Sequence, residues 1–495
     1  MRKQIMTALL LVTVLAAMEG TIVSTAVPRI TSDLSGIELV SWVYAVYMLA
    51  TAVSTPIYGK LADLFGRKKV ILAGIILFLA GSALCGIAMS MEQLILYRAI
   101  QGLGAGAVMP ITMTIIGDLY SEAKERAKAQ GWISAVWGVA GVLGPLAGGF
   151  LVDTLSWRYI FFLNIPFGLV AFFMLAANYK ENLSKGKPHI DYWGAVTFSL
   201  ATIAFLYALL TGSQTQEWGN PLIIGLFVIS ALLYVGFVLI EKKSPEPLIP
   251  LNLFSNKSVL IVNSLTLISG AVVICITIYL PIWSQGVMGK TATQAGFVLM
   301  PLPVMWTLGS LVAGNLVGRL KDNWIITLGI SVVSAASLLF YLLDAHSPTF
   351  LIYVASGVLG LGMGLITPIY MLIIQASVPS NKRGVAVASN TFTNTFSQTL
   401  GSAVFGTIFN LITLSKLEST GQDLDLNASF EHGGELPTGQ LAKLQEIVAS
   451  GIHAIYGVML VLTIIGIGVS LLLIKFREPS KEQSAKNTKR AVQPK

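Results

Sequence analysis

Two ionisable residues, Glu19 and Arg98, lie deep inside long apolar stretches of this 495-residue sequence. A charge at the centre of a membrane helix costs about 2.5–3.5 kcal/mol on insertion scales, so such residues usually serve a function. At about 1.5 Å per residue, Glu19 lies about 14 Å and Arg98 about 9 Å from the outer ends of their stretches. We therefore predict that they share one level of one cavity, where they can bind protons or a charged ligand. The alternative is a structural ion pair.

A second charged group lies in the segment GKLADLFGRKK, which starts at Gly59. Gly59 and Gly66 permit tight backbone geometry, and Arg67 opens a run of three basic residues, which favours the cytoplasmic side of a membrane. In this basic setting, Asp63 can bond Arg67 or cap a neighbouring helix. The segment is therefore expected to form a short cytoplasmic hairpin.

Glycine recurs along another apolar stretch, which contains Gly138, Gly141, Gly144, Pro145, Gly148 and Gly149. Helical periodicity places the first four glycines within an arc of about 120°, a smooth face on which another helix can pack closely. Pro145 removes one backbone hydrogen bond and favours a kink. A generic interface of small residues would explain the glycines alone.

Seven polar or aromatic residues within apolar stretches are candidates for lining a cavity: Tyr47, Gln101, Trp137, Asn263, Asn390, Asn394 and Gln398. The last three follow one another at intervals of four residues, which puts them on one face of a helix. Hydrogen bonding between helices explains that stripe as well as cavity lining does. The sequence supports both interpretations.

Membrane-spanning helices must position these residues, because the chain is 54% hydrophobic and only 11% charged, with a mean hydropathy of +0.75. A soluble protein carries about 25% charged residues. Fourteen apolar stretches have spanning length, at about 5–28, 40–60, 70–90, 92–116, 127–152, 159–179, 191–212, 220–240, 257–283, 294–316, 324–344, 349–375, 383–413 and 451–474. Backbone groups in lipid must be bonded within their own segment, so each stretch is predicted to be a helix.

The 32 lysines and arginines are distributed unevenly between the connections. With a cytoplasmic N-terminus, the outer side holds only Arg29, Arg158, Lys290, Lys416 and Lys443, and Arg98 lies within a span. This asymmetry follows the positive-inside rule and supports an even number of spans with both termini cytoplasmic. The first stretch continues past the length of a signal peptide, so we expect it to remain as a membrane helix.

The predicted spans fall into two bundles of six and one additional pair. The N-terminal bundle covers residues 1–180, an inserted transmembrane hairpin with its linkers covers 181–250, and the C-terminal bundle covers 251–476. The C-terminal bundle includes an external loop at about 414–450, and a basic cytoplasmic tail follows at 477–495. A faint repeat relates GKLADLFGRKK to GNLVGRLKDNW, which starts at Gly314, and parallel repeats of this kind are common in transporters.

The segment GKLADLFGRKK resembles the signature of the major facilitator superfamily between its second and third helices. The resemblance implies a two-bundle fold in which Gly59, Asp63, Gly66 and Arg67 belong to a conformational latch. The segment LYRAIQGLGAG, which contains Arg98, resembles a fourth-helix pattern in which the arginine serves proton coupling.

Three further segments resemble the fourteen-helix drug:proton antiporters of the QacA/EmrB type within that superfamily. They are GPLAGG in the fifth predicted helix, WRYIFFLNIPFG from Trp157, and MEGTIVSTAVP in the first helix. Glu19 replaces the usual aspartate and Ser24 the usual asparagine, while Ala140 replaces a usual glycine. The resemblance implies that the carboxylate of Glu19 couples substrate and proton, and that the glycine motif of the fifth helix is the antiporter motif.

These features predict an all-α polytopic membrane protein that exports amphipathic, cationic drug-like compounds in exchange for protons, by alternating access around a midplane site. Alternatives are an exporter of an endogenous lipid, siderophore or metabolite, or a monovalent cation/proton antiporter. We expect no enzymatic activity, cofactor, metal or bound nucleotide, because the sequence has two isolated cysteines and no P-loop. The basic residues form short clusters rather than one patch, which argues against nucleic acid. The expected setting is the plasma membrane of a bacterium, with a functional monomer.

Overall fold

The computed structural model describes residues 2–34, 40–120, 122–181, 191–215, 217–244, 247, 255–290, 292–344, 347–379, 382–419 and 438–475. Within these ranges the regular elements are helices, apart from one isolated bridge between Val317 and Leu320. The linker at 182–190, much of the predicted external loop, and the tail from 476 onwards lie outside the described residues.

Seven helices form the N-terminal half: α1 (Arg2–Leu34), α2 (Val40–Phe65), α3 (Arg67–Gly86), α4 (Met91–Leu119), α5 (Ala123–Thr154), α6 (Tyr159–Phe162) and α7 (Asn164–Asn178). The inserted hairpin consists of α8 (Tyr192–Thr215) and α9 (Pro221–Glu241). The C-terminal half contains α10 (Lys257–Ile282), which continues as a π-helical turn at Trp283–Val287, then α11 (Ala292–Leu299), α12 (Pro301–Leu316), α13 (Asp322–Tyr341), α14 (Thr349–Ala376), α15 (Arg383–Ser419) and α16 (Thr438–Lys475). Two predicted spans are thus built from consecutive pieces, α6 with α7 and α11 with α12.

Helix starts follow from local side-chain chemistry at several of these boundaries. The side chain of Ser90 caps α4 by accepting a hydrogen bond from the backbone N–H of Gln93. Asn220 caps α9, where Pro221 occupies the first helical position. Such caps satisfy the backbone N–H groups that a helix leaves unpaired at its start.

The described residues contain 11 helices that are long and apolar enough to cross a membrane. The remaining three predicted spans coincide with α1, α2 and α5, which have 33, 26 and 32 residues but are not among those 11. An all-helical membrane fold is therefore confirmed, whereas the count of fourteen spans and the orientation stay predictions.

Two helices extend beyond the apolar runs that predicted them. Helix α15 continues to Ser419, and α16 already begins at Thr438, so both reach into the segment that we predicted as a loop at about 414–450. A helix does not need to stop where the bilayer stops, because polar residues outside the membrane can continue its hydrogen-bond ladder. Residues 420–437 of that loop lie outside the described part.

The two halves meet mainly along two helix pairs, α2 with α15 and α5 with α12, and α4 adds contacts to α14 and α15. The inserted hairpin covers the contact between α2 and α15, because α8 packs on both of these helices. Its aromatic residues pack directly on α15: the ring centroids of Phe198 and Phe392 are 5.2 Å apart in an edge contact, and the stacked rings of Phe205 and Phe396 are 5.4 Å apart.

Candidate functional site

The structure joins Glu19 of α1 to Arg98 of α4 in a buried ion pair. Arg98 Nη1 donates to Glu19 Oε1, and it also donates to Gln101 Oε1 at 2.8 Å. Arg98 Nε donates to the carbonyl oxygen of Val43 at 3.2 Å. Glu19 and Arg98 are each only 1% exposed, so both charges are removed from solvent and compensate each other.

Other side chains from the N-terminal half complete the surroundings of this pair. Asn164 Nδ2, at the start of α7, lies 2.9 Å from both Glu19 Oε2 and Ser82 Oγ. Gln101 Nε2 donates to Ser82 Oγ at 3.2 Å. The guanidinium of Arg98 also lies over the ring of Tyr47, 4.2 Å from its centroid. Each carboxylate oxygen of Glu19 thus has its own donor, Arg98 on one side and Asn164 on the other.

This arrangement decides what the carboxylate can do chemically. A proton or a cationic ligand at Glu19 must replace the charge of Arg98, because a second positive charge cannot share a desolvated carboxylate at low cost. Every residue in the network comes from α1, α2, α3, α4 or α7, so the site belongs to the N-terminal half alone.

A second polar cluster lies in the C-terminal half. Asn390 Nδ2, on α15, lies 2.9 Å from both Asn263 Oδ1 and Thr266 Oγ1 of α10. Asn390 and Asn263 are buried, and Asn263 Nδ2 has no hydrogen-bond partner among the described residues. Gln398 Nε2 donates to Asn394 Oδ1 at 2.7 Å, and both side chains are half-buried. Asn390 therefore forms hydrogen bonds between two helices. Asn394 and Gln398, which are partly exposed, can still line a cavity.

The predicted latch residues lie where α2 ends against the start of α15. The two carboxylate oxygens of Asp63 accept hydrogen bonds from the backbone N–H groups of Gly384 at 3.1 Å and Val385 at 2.9 Å. A Cβ atom on Gly59 would lie 2.8 Å from the carbonyl oxygen of Gly384, so only glycine permits this approach of the two helices. Gly66 has a φ of 95°, in the left-handed region, where it connects α2 to α3. We call this end of the bundle the latch end.

Arg67 extends the latch to further carboxylates. Its guanidinium lies 3.2 Å from Asp63 Oδ1, 3.5 Å from Asp118 Oδ2 and 3.3 Å from Glu181 Oε1. Asp118 in turn pairs with Arg383 of the C-terminal half at 3.1 Å. Burial raises the pKa of Asp63 to about 6, although its hydrogen bonds from α15 and the charge of Arg67 oppose that shift.

The glycine motif of the fifth predicted span lies on α5, whose backbone stays helical through Pro145 and Gly149. Helix α5 packs on α1 within its own half and on α12 of the other half. Gly144 and Gly148 are buried, and Gly141 is half-buried. Trp137 of the same helix is 43% exposed, so the structure does not bring it into the Glu19 network.

Several residues of these clusters were not predicted as site residues. Ser82, Asp118, Glu181 and Arg383 contribute through tertiary contacts that span between 19 and 265 positions of sequence, so no local spacing reveals them. Asn164 lies in the segment WRYIFFLNIPFG but is not among the predicted site residues. A polar side chain inside the apolar stretch 159–179 is the one local signal for it.

Comparisons with known proteins agree with this architecture. A sequence profile described as Major Facilitator Superfamily matches residues 9–402. Multidrug resistance protein 3 of Bacillus subtilis (strain 168) is 36% identical over 415 residues, which cover 84% of this chain and 81% of that protein. The multidrug transporter protein MdtP of the same organism is 34% identical over 409 residues, with coverages of 83% and 75%. The crystal structure of the human organic anion transporter MFSD10 (TETRAN) has a TM-score of 0.62 at 13% identity, covering 93% of this chain and 99% of that chain, which supports the fold alone.

Proposed function

Since the chain belongs to the major facilitator superfamily, we propose that it is a proton-coupled antiporter that exports amphipathic, cationic drug-like compounds. Its relatives named as multidrug transporters support this substrate class, and such proteins are transporters rather than enzymes. The motifs that resemble the QacA/EmrB type favour that branch, with fourteen spans and both termini cytoplasmic. The proposed setting is the plasma membrane of a bacterium, where the monomer draws on the proton gradient and needs no cofactor.

The observation that carries the proposal is the carboxylate of Glu19. Its two oxygens bond Arg98 and Asn164 in a place that solvent does not reach. A proton that neutralises Glu19 removes its attraction to Arg98, and a lipophilic cation can compensate the carboxylate in the place of Arg98. One carboxylate then serves proton and substrate in turn, which is what coupled exchange requires.

Alternating access needs a second element, which opens one end of the bundle while the other closes. In the proposed mechanism, the hydrogen bonds that Gly384 and Val385 donate to Asp63 hold the latch end closed. With the orientation that the basic residues predict, the latch end is cytoplasmic. The carboxylate can then take up a proton from outside, and opening of the latch lets a cytoplasmic cation displace that proton.

Transport by everted membrane vesicles tests the proposal. We expect an imposed proton gradient to drive accumulation of tetraphenylphosphonium by vesicles containing the protein, and Glu19→Gln to abolish this accumulation. Ser264→Ala is a control for substitution of a polar residue in a membrane helix, because the half-buried Ser264 lies in the other half of the protein from Glu19 and donates to the carbonyl of Leu260 in its own helix. A panel of neutral and anionic compounds defines the substrate range. Exchange of sodium or potassium for protons without transport of any organic cation would refute drug export and favour the monovalent cation alternative.

A further inference from the structure

Helix α5 carries buried hydrogen-bonding groups at the latch end that have no partner among the described residues. Within the part of the chain that the structure describes, nothing pairs with Arg126 Nε and Nη1 or with Gln130 Oε1 and Nε2. Gln130 is only 2% exposed and lies one helical turn beyond Arg126, so both side chains belong to the same face of α5. A buried group without a partner destabilises the structure, and a charged group does so more strongly.

The internal repeat identifies the residue of the C-terminal half that is equivalent to Arg126. The segment KERAKAQG from Lys124 corresponds to NKRGVAVA from Asn381, so Arg126 corresponds to Arg383. Helix contacts agree with this register: Gly59 of α2 approaches Gly384 on α15, and Gly314 of α12 approaches Ala127 on α5. Arg126 and Arg383 are therefore equivalent residues, which the pseudo-symmetry of the two halves places on the two sides of the latch end.

Arg126 and Arg383 differ in the hydrogen-bond acceptors that surround them. Arg383 pairs with Asp118, the second-to-last residue of α4, and the second-to-last residue of the corresponding helix α14 is the neutral Gln375. The counterpart of Asp63 in the repeat is Gly318, whose φ of 86° disfavours any residue with a side chain. Gln375 Nε2 donates to the carbonyl oxygen of Met113, and its Oε1 has no partner among the described residues. At these two positions the C-terminal half therefore has no carboxylate, whereas the N-terminal half has Asp118 and Asp63.

The positive charge around Arg126 also favours an anionic hydrogen-bond acceptor there. Burial and the neighbouring charge of Arg383 lower the pKa of Arg126, which means that its positive charge is under-compensated where it lies. Arg383 Nε is also buried without a partner among the described residues. Two guanidinium groups and a neutral amide therefore offer several unused donors in one region, and guanidinium donors match the oxygens of phosphate in pairs.

We propose that Arg126, Gln130 and Arg383 form a binding site for an oxyanion, a phosphate group, which replaces the carboxylates that the C-terminal half lacks. The anion bonds α5 of one half and α15 of the other, so it stabilises the closed latch. Its source is either free inorganic phosphate or the phosphate of an anionic lipid headgroup at the membrane surface. The site does not depend on the transported compound or on proton coupling.

The test measures the thermal unfolding of purified full-length protein in lipid nanodiscs. In one arm, inorganic phosphate is titrated at constant ionic strength into nanodiscs of phosphatidylcholine. In the other arm, phosphatidylglycerol replaces part of the phosphatidylcholine without added phosphate. We expect the melting temperature to rise in at least one arm, and the arm that responds identifies the source of the anion.

Three variants separate a built site from general charge effects. Arg126→Gln should weaken the apparent affinity for the anion about tenfold or more, since a hydrogen bond to a charged group contributes about 1.5–3 kcal/mol. Lys124→Gln removes the same charge from an exposed position of the same helix and should respond like the parent. Gln375→Glu supplies an acceptor from the chain itself, so it should raise the melting temperature without anion and reduce the response.

When all variants fold, either of two results overturns the proposal. One is the absence of any response in both arms for the parent protein. The other is a response that Arg126→Gln and Lys124→Gln share equally, because a nonspecific effect of surface charge would then account for it. If Arg126→Gln does not fold, Gln375→Glu decides, since an unchanged response in that variant also contradicts the site.

Discussion

Adding one methyl group to Gly138 of α5 tests how closely the two halves must pack when the latch end is closed. A Cβ atom there would lie 2.8 Å from both the carbonyl oxygen of Pro303 and Thr307 Oγ1 on α12, whereas ordinary contact begins at 3.4 Å. The helices must therefore separate by about 0.6 Å, and overpacking of this kind typically costs about 1–3 kcal/mol. Gly138→Ala should shift the equilibrium away from the closed state about five- to 150-fold.

Gly141→Ala is the matched control, three residues further along α5 and facing the same proline. A Cβ atom on Gly141 would lie 3.9 Å from Pro303, which is ordinary contact. Both replacements gain about the same helix propensity, roughly 1 kcal/mol, so the difference between them isolates the contact with α12.

Pulsed electron spin resonance can measure the outcome directly. Spin labels at Lys69→Cys and Lys382→Cys are exposed at the latch end in opposite halves, and the native Cys85 and Cys275 are buried. We expect a longer distance to gain population in Gly138→Ala, with Gly141→Ala close to the parent. Equal distance distributions for the two variants would refute the reasoning, because the close approach of α5 and α12 would then not limit closure.

Three further predictions concern the latch, the orientation and the ion pair. The pKa of Asp63 is about 6 with the latch closed, against an ordinary 3.8, so the closed state binds the proton more tightly and should gain population as the pH falls from 7 towards 5. The same spin labels measure this gain, which Asp63→Asn should largely remove. Epitope tags at the N-terminus, after Lys185 and at the C-terminus should be cytoplasmic and a tag near Asp423 external; external access to the 180–190 linker would exclude the inserted hairpin. Arg98→Ala should abolish proton-driven accumulation in vesicles while downhill counterflow persists, and retained accumulation would exclude Arg98 from coupling.

The sequence reveals those parts of the site that local rules or membrane depth control. The sequence predicts that Glu19 and Arg98 lie at one level of the membrane, because charges in lipid are rare and costly and the depths of the two residues are similar. The basic setting of Asp63 likewise predicts its contact with Arg67, and the two side chains lie 3.2 Å apart across the turn at Gly66 that joins α2 to α3.

The remaining contacts depend on how whole helices pack, which no local pattern encodes. Asp63 was expected to bond Arg67 or cap a helix; that it does both, and that the capped helix is α15, more than 300 residues later, follows only from the meeting of the two halves. The acidic partners of Arg67, Asp118 and Glu181, lie just outside the apolar runs of the sequence and carry no distinguishing signal. The full length of α16 was missed for another reason: hydropathy detects only its apolar part, and its first turns are polar.

Substrate-induced proton release from the purified protein tests the central role of Glu19 most directly. Tetraphenylphosphonium is added to weakly buffered protein in detergent, and a pH indicator records the protons that leave. We predict release from the parent and from Glu19→Asp, which keeps a carboxylate, and none from Glu19→Gln. If Glu19→Gln releases protons as the parent does, the coupling carboxylate lies elsewhere and the account of Glu19 is wrong.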